Sequence, residues 1–267
     1  MDIIVCVKAV LDPDLPPAKF RIEKNQVIPP EGMPPVINPY DGLAVEAALR
    51  MKESKKEGKI TVISLGDRSA ENILRKALAM GADEAILLSD PGFGESDGFA
   101  TAYLLAQAIQ KIGNHDLILC GRQAADWDQG MVGAAIAEGL GIPIVTRARS
   151  IEILDRRVNV ERVVASGFET LEVELPALIT VSSELGQARI PSGWGIIKAA
   201  KKAIPVWDAA QLGSDPSRTG KGAVRNNLTT LSIPSYERKC EMIKGESPAE
   251  GAAKLAETLL GFNLISN

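Results

Sequence analysis

The chain of 267 residues contains a single histidine, His115. Nucleophile systems of the Ser-His-Asp or Cys-His kind need an imidazole base. His115 stands in a loop ahead of an apolar run and reads as a solvated side chain. Cysteine is also scarce. Cys6, Cys120 and Cys240 lie far apart and no C-x-x-C occurs, so neither a zinc site nor a disulfide framework is expected. A reducing, cytoplasmic setting is the simplest reading. There is no Walker A pattern and no G-x-G-x-x-G fingerprint. No apolar run is long enough to span a bilayer, so no membrane insertion is expected. A net charge of -4 gives no basic field for nucleic acid or an anionic membrane. The opening "MDIIVCVKAV" lacks a basic start and a cleavage site, and reads as a strand.

What is present is ordinary globular composition, 45% hydrophobic and 24% charged, enough for one large domain or a domain with an appendage. Up to about residue 145 one theme repeats. Apolar, β-branched runs ("DIIVCVK", "KITVIS", "EAILLS", "DLILC", "IPIVT") alternate with helical periodicity. "DGLAVEAALRMKE" begins with a capping-type Asp41, and two further helices close on Gly81 and Gly113. "QGMVGAAIAEGLG" reads as the fourth helix. Strands apolar nearly throughout are buried on both faces, and the alternation gives right-handed crossovers. The predicted class is α/β, a doubly wound, mainly parallel sheet of the Rossmann-like, nucleotide-binding type.

After Thr146 the period changes to alternation, with breaks at Asp155-Arg156 and Ser166-Gly167. The stretch through "LPALITV" reads as antiparallel strands added at the sheet edge. From Ser182 the chain reads as irregular, and its end, "SPAEGAAKLAETLLGFNLI", as an amphipathic helix capped by Ser247. The expected division is an α/β nucleotide-binding domain over 1–204 and an arm over 205–267.

One turn concentrates the functional interest: "GRQAADWDQGMVG", Gly121 to Gly133, between the fourth strand and fourth helix. It carries Asp126 and Asp128 and one cation, Arg122. Gly121 and Gly130 let backbone approach a ligand closely. Free N–H groups at a helix start hold a phosphate without lysine, and an acidic residue there suits ribose hydroxyls. A nucleotide of one phosphate or a dinucleotide fits better than ATP. An empty turn in which Asp128 merely caps the fourth helix remains open.

The chain resembles the β subunit of an electron transfer flavoprotein over nearly its full length. The motifs, in order, are "VCVKAV", "INPYDGLAVEAALRMKE", "GADEAILL", "DLILCGRQAADWDQGMVG", "LPALITV" and "IIKAAKK". The resemblance implies an α subunit partner, a redox FAD shared with that subunit, and AMP in the β subunit, or a second FAD in bifurcating members. It implies a redox partner, a dehydrogenase or a quinone oxidoreductase. It carries the nucleotide site to Cys6, Asn38, Pro39, Tyr40, Asp41, Leu65, Gly121, Arg122, Gln123, Ala124, Asp126, Asp128, Gln129, Gly130, Met131 and Val132. Asn38, held extended before Pro39, aims its amide at a base edge or flavin, or simply makes a turn. A docking loop over Ala188 to Lys198 would use Trp194, with Arg189 and Lys198 steering. Two departures stand out. Gly193 replaces the family's docking leucine, leaving the donor unidentified. The bifurcating Asp-Thr-x-Ala-Thr pattern reads Asp97-Gly98-Phe99-Ala100-Thr101 here, which favours AMP. Rival readings are an ATP-using enzyme of the same fold and a nucleotide-sensing module without a redox partner.

Overall fold

The computed structural model describes residues 1–16, 19–233, 240–262 and 264. Its centre is a sheet in which, among the described residues, nine strands pair in the order β11-β10-β9-β12-β8-β1-β6-β7-β13. β1 (Asp2–Cys6), β6 (Lys59–Leu65), β7 (Glu84–Leu88) and β8 (Leu117–Gly121) form its parallel heart. These are four of the five apolar runs of the sequence, and their inner residues are buried on both faces. Each fully buried Ile or Leu contributes roughly 1.5–3 kcal/mol.

Helices cover the two faces. α1 (Pro39–Lys55) and α2 (Glu71–Met80) share one core layer with Val5, Val62 and Leu119. α3 (Gly98–Ile112) and α4 (Val132–Leu140) share the other with Ile4, Ile63 and Ile118. The chain leaves β1 for one face and β8 for the other, so the strand order reverses between these two neighbours. In an open α/β sheet that is where ligands bind.

Three expectations are corrected. Asp41 does not cap α1. The helix starts at Pro39, whose fixed φ pre-forms the first turn, and Asn38 is the N-cap with extended backbone. "ALITV", β12 (Ala177–Val181), is not an antiparallel edge strand. It inserts between β8 and β9 (Ile144–Leu154) and runs parallel to both. Its five residues are all buried, as an interior strand requires. The antiparallel addition is real beyond it. β9 turns at Arg147 (φ 61) and runs on to pair with β10 (Arg157–Val164), which pairs with the edge strand β11 (Gly167–Glu174).

The third correction concerns the region read as irregular. Gly193–Lys201 is a helix, α5, capped by Ser192, whose hydroxyl accepts from Gly195 N–H. Arg75 on α2 fastens its end, donating to the carbonyls of Ala199 and Lys202. β13 (Val206–Trp207) then pairs with β7, and α6 (Ala209–Leu212) follows with a complete capping box from Asp208 and Gln211. The first compact unit therefore runs to Leu231, past the junction expected at 204/205. Small antiparallel pairs, β2 (Ala9–Val10) with β5 (Val36–Ile37) and β3 (Arg21–Glu23) with β4 (Gln26–Ile28), also belong to it. The second unit, 232–267, holds α7 (Pro248–Gly261), capped by Ser247 as the sequence predicts.

α5 lies so close to α2 that a side chain at Gly195 would collide with the Ala79 carbonyl. Overpacking of this kind costs about 1–3 kcal/mol. For a chain of this size each kcal/mol lowers Tm by roughly 2–4 °C. Gly195→Val is expected to melt several degrees lower in a thermal scan; an unchanged Tm would show that α5 is not seated on α2.

Candidate functional site

The site residues taken from strand ends come together. Cys6, Gly121 and Leu65 close β1, β8 and β6, three adjacent strands, at their carboxyl ends. Cys6 and Cys120 are buried on the same core layer, and the hydrogen bond with the neighbouring Cys6 thiol, together with burial, pushes the Cys120 thiol well up. Cys120 is thus a packing group rather than a nucleophile.

Above this floor, the first turn of α1 grips both strands. One Asp41 carboxylate oxygen accepts from Lys8 N–H (2.7 Å), just beyond β1, and the other from Gly121 N–H (3.0 Å), the last residue of β8. Asn38 reaches the turn after β8. Its Nδ2 donates to the Gln123 carbonyl (2.9 Å) and its Oδ1 accepts from Ala125 N–H (3.1 Å). The amide is thus spent on the protein's own backbone. Both residues are buried. Burial raises the Asp41 pKa to about 7, and the hydrogen bonds it accepts and the Lys8 charge pull only partly against that.

The turn itself is pinned at several points. Lys8 Nζ pairs with Asp126 (2.6 Å), Gln123 Nε2 donates to Asp128 (2.7 Å), and Asp128 N–H donates to the Ala124 carbonyl. Asp128 takes a left-handed φ of 50° and does not cap α4, which begins four residues later at Val132. No side chain caps α4 at all, so its opening N–H groups are not satisfied by a carboxylate. Gly130 has φ 63°, a conformation that favours glycine, and a Cβ there would crowd the Arg122 carbonyl at 3.3 Å. Gln129, Met131 and Val132 complete the approach to the helix. Pro39 is exposed at the start of α1. Arg122 stacks over Tyr40 (4.8 Å to the ring centre) and donates to its hydroxyl (3.0 Å).

Two buried polar atoms near this edge have no partner: Ser64 Oγ, beside Leu65, and Arg122 Nε. Ser64 shares the α1/α2 layer with Ile60 and Val62, whereas Arg122 Nε lies on the turn that leads to α4. An orphaned cationic donor beside an uncapped helix start suits a small ligand with an anionic group. Ser64 escaped the sequence reading because nothing in "VISLG" marks one serine as buried and unpaired. Trp127, between the two aspartates, is half exposed on the turn, and nothing in "ADWDQ" tells an exposed tryptophan from a packed one. Among the described residues no cluster of His, Cys, Asp or Glu arranged for a metal ion is present, and no helix is long and apolar enough to cross a membrane.

The three docking residues lie apart from this crevice, in and beside α5. Trp194 is in the first turn of that helix rather than on a loop and is 72% exposed. Ile190, Ile196 and Ile197 are exposed beside it and do not shelter it. Arg189 is tied to Glu46 (2.7 Å) and Glu53 (2.5 Å) on α1. Burial pushes the Glu46 pKa up, but Arg189 and Arg50 outweigh it and hold the group low. Lys198 is exposed on α5.

Comparison with known proteins gives a consistent answer. A family model described as the electron transfer flavoprotein domain matches residues 28–212. The chain is 40% identical to the electron transfer flavoprotein subunit beta of Megasphaera elsdenii, across 99% of this chain and 100% of that protein. It is 39% identical to the caffeyl-CoA reductase-Etf complex subunit CarD of Acetobacterium woodii, over 99% and 100% of the two chains. It is 35% identical to protein FixA of Azorhizobium caulinodans, over 96% and 93%.

Asp41 makes a pH prediction. Folded, it keeps its proton up to about pH 7; unfolded, it releases it near 3.8. Between these values the folded chain binds one proton more, so stability falls as pH rises, by about 1.4 kcal/mol per unit. The contribution is complete below the lower value and gone above the upper one. Tm measured from pH 4 to 8 should therefore decline more steeply in the wild type than in Asp41→Asn. Parallel curves would place the titration elsewhere.

Proposed function

This chain belongs to the electron transfer flavoprotein family, and from that premise we propose that it is the β subunit of a heterodimer that shuttles electrons. The donor is of the dehydrogenase type, the acceptor one such as a membrane quinone oxidoreductase, and the setting cytoplasmic. The observation that carries the reading is the end-to-end match to proteins named as that subunit. The redox FAD is shared with the α subunit and supplies the electron chemistry. The crevice at the ends of β1, β6 and β8 holds AMP.

The residues of this chain bind and orient. The open N–H groups of α4 face the phosphate, and Gly130 admits it to the backbone. Cys6 and Leu65 form an apolar floor, and Asp126 offers a carboxylate to ribose hydroxyls from its pairing with Lys8. Asn38 and Asp41 act one step back, fixing the turn that carries these groups. Tyr40, with Arg122 against its ring, forms a side wall. Outside the crevice, Trp194 and the isoleucines around it offer the redox partner an apolar anchor. Since Arg189 is neutralised by Glu46 and Glu53, electrostatic steering falls to Lys198.

Co-purification with the α subunit, followed by acid extraction, tests the crevice. The expected product is a yellow heterodimer carrying AMP, and Gly130→Val should lose more AMP than Asp126→Asn. A colourless monomer would favour a nucleotide module without redox partner, and a Gly130 variant that retains AMP fully would move the phosphate elsewhere. The docking face has its own test. Trp194→Ala should keep flavin, AMP and heterodimer while raising the apparent KM for the redox partner about tenfold or more, the loss expected of a small hot spot. A lower melting point with normal electron exchange would make Trp194 a packing residue instead.

A further inference from the structure

Two helix starts face each other near the crevice, and only one is open. The first turn of α3 is closed by Asp97. Its Oδ1 accepts from Phe99 and Ala100 N–H (3.0 Å each), and its Oδ2 from Arg225 (2.7 Å) and Asn226 (3.2 Å) N–H. Burial pushes the Asp97 pKa up, but these four donors outweigh it and hold the carboxyl ionised. An anion arriving there meets a committed negative charge. The first turn of α4 has no such cap.

Between the two starts lies Met131, the residue immediately before α4. A Cβ on Gly98, the first residue of α3, would stand 2.9 Å from Met131 Sδ, 3.1 Å from its Cγ and 3.2 Å from Gln129 Oε1. The thioether therefore sits directly on the Gly98 backbone, a seat that any larger residue would remove. A phosphate on the α4 N–H groups has this sulfur on its α3 side.

We propose that Met131, seated on Gly98, sets the phosphate count of the site: it admits a nucleotide with one phosphate and excludes a diphosphate such as ADP or the dinucleotide FAD. The inference deepens the nucleotide reading given above and rests on it. The chemistry is exclusion rather than recognition. The uncapped helix start binds any phosphate, and the side chain beside it removes the room for a second.

The experiment uses the complete heterodimer, purified from cells, with AMP, ADP and FAD quantified after acid extraction. The wild type is expected to hold AMP and one FAD. Met131→Ala should lower the share of AMP against ADP and second FAD by about tenfold or more, the discrimination a block of one or two methylenes supplies. Met131→Leu, which returns the bulk, should restore it. Gly98→Ala reaches the same end from the other side, because its methyl displaces the flexible thioether, and so guards against a misfolded Met131 variant. Two FAD per wild-type heterodimer, or the same nucleotide complement in wild type, Met131→Ala and Gly98→Ala, would overturn the proposal. One FAD with no other nucleotide in the wild type would overturn the nucleotide reading itself, a separate and recognisable result.

Discussion

The geometry of the crevice depends on one buried carboxylate. At the reversal of strand order β1 and β8 part company, each leaving for a different face of the sheet, and the N–H groups of Lys8, two residues past β1, and Gly121, at the end of β8, turn to a side chain. Asp41 supplies an oxygen to each of them. Unpaired and buried, those donors would cost about 1–3 kcal/mol apiece. Paired to one side chain, they also tie the two strand ends to the start of α1. Gly121 has to be glycine for this to work, since a side chain there would collide with Asp41 and Tyr40.

The other polar contacts extend the same joint. Asn38, three residues before Asp41, holds the turn after β8 through two backbone bonds. Lys8, whose N–H meets Asp41, reaches Asp126 with its ammonium. The turn after β8 is thus fixed from the far side of the sheet reversal. α4 then begins with its N–H groups open, because the acids that would ordinarily cap it are engaged elsewhere. Rigid support behind the turn and unsatisfied donors in front of it are what the proposed nucleotide site would require.

The parallel heart was legible because burial on both faces writes itself as continuous apolar runs, as in "KITVIS" and "EAILLS". β12 was placed wrongly because "ALITV" followed a stretch of alternation, and nothing local tells an inserted strand from an added one. α5 was missed although Ser192 and "GIIKAAK" carried its cap and period; Pro191 and two glycines argued against it. Within the site, Cys6, Leu65 and Gly121 could be read as strand ends. The work of Asn38 and Asp41 could not, since their partners lie 33 to 87 residues away along the chain. Asp128 looked like a cap because it precedes a helix, and its left-handed backbone was invisible in the sequence.

The outer end of the sheet has a consequence for the company this chain keeps. β11 is eight residues long and has one flank without a neighbour among the described residues. An exposed flank of that length invites another strand and, from there, aggregation. Here Glu169, Glu172 and Glu174 recur along it, with Arg162 and Arg157 paired to them from β10. A second copy of the same strand would bring like charges together at each step. The opposite end of the sheet is β13, only two residues long, too short to template anything. The sheet is thus self-limiting at both ends, and neither edge among the described residues offers a further strand an easy template.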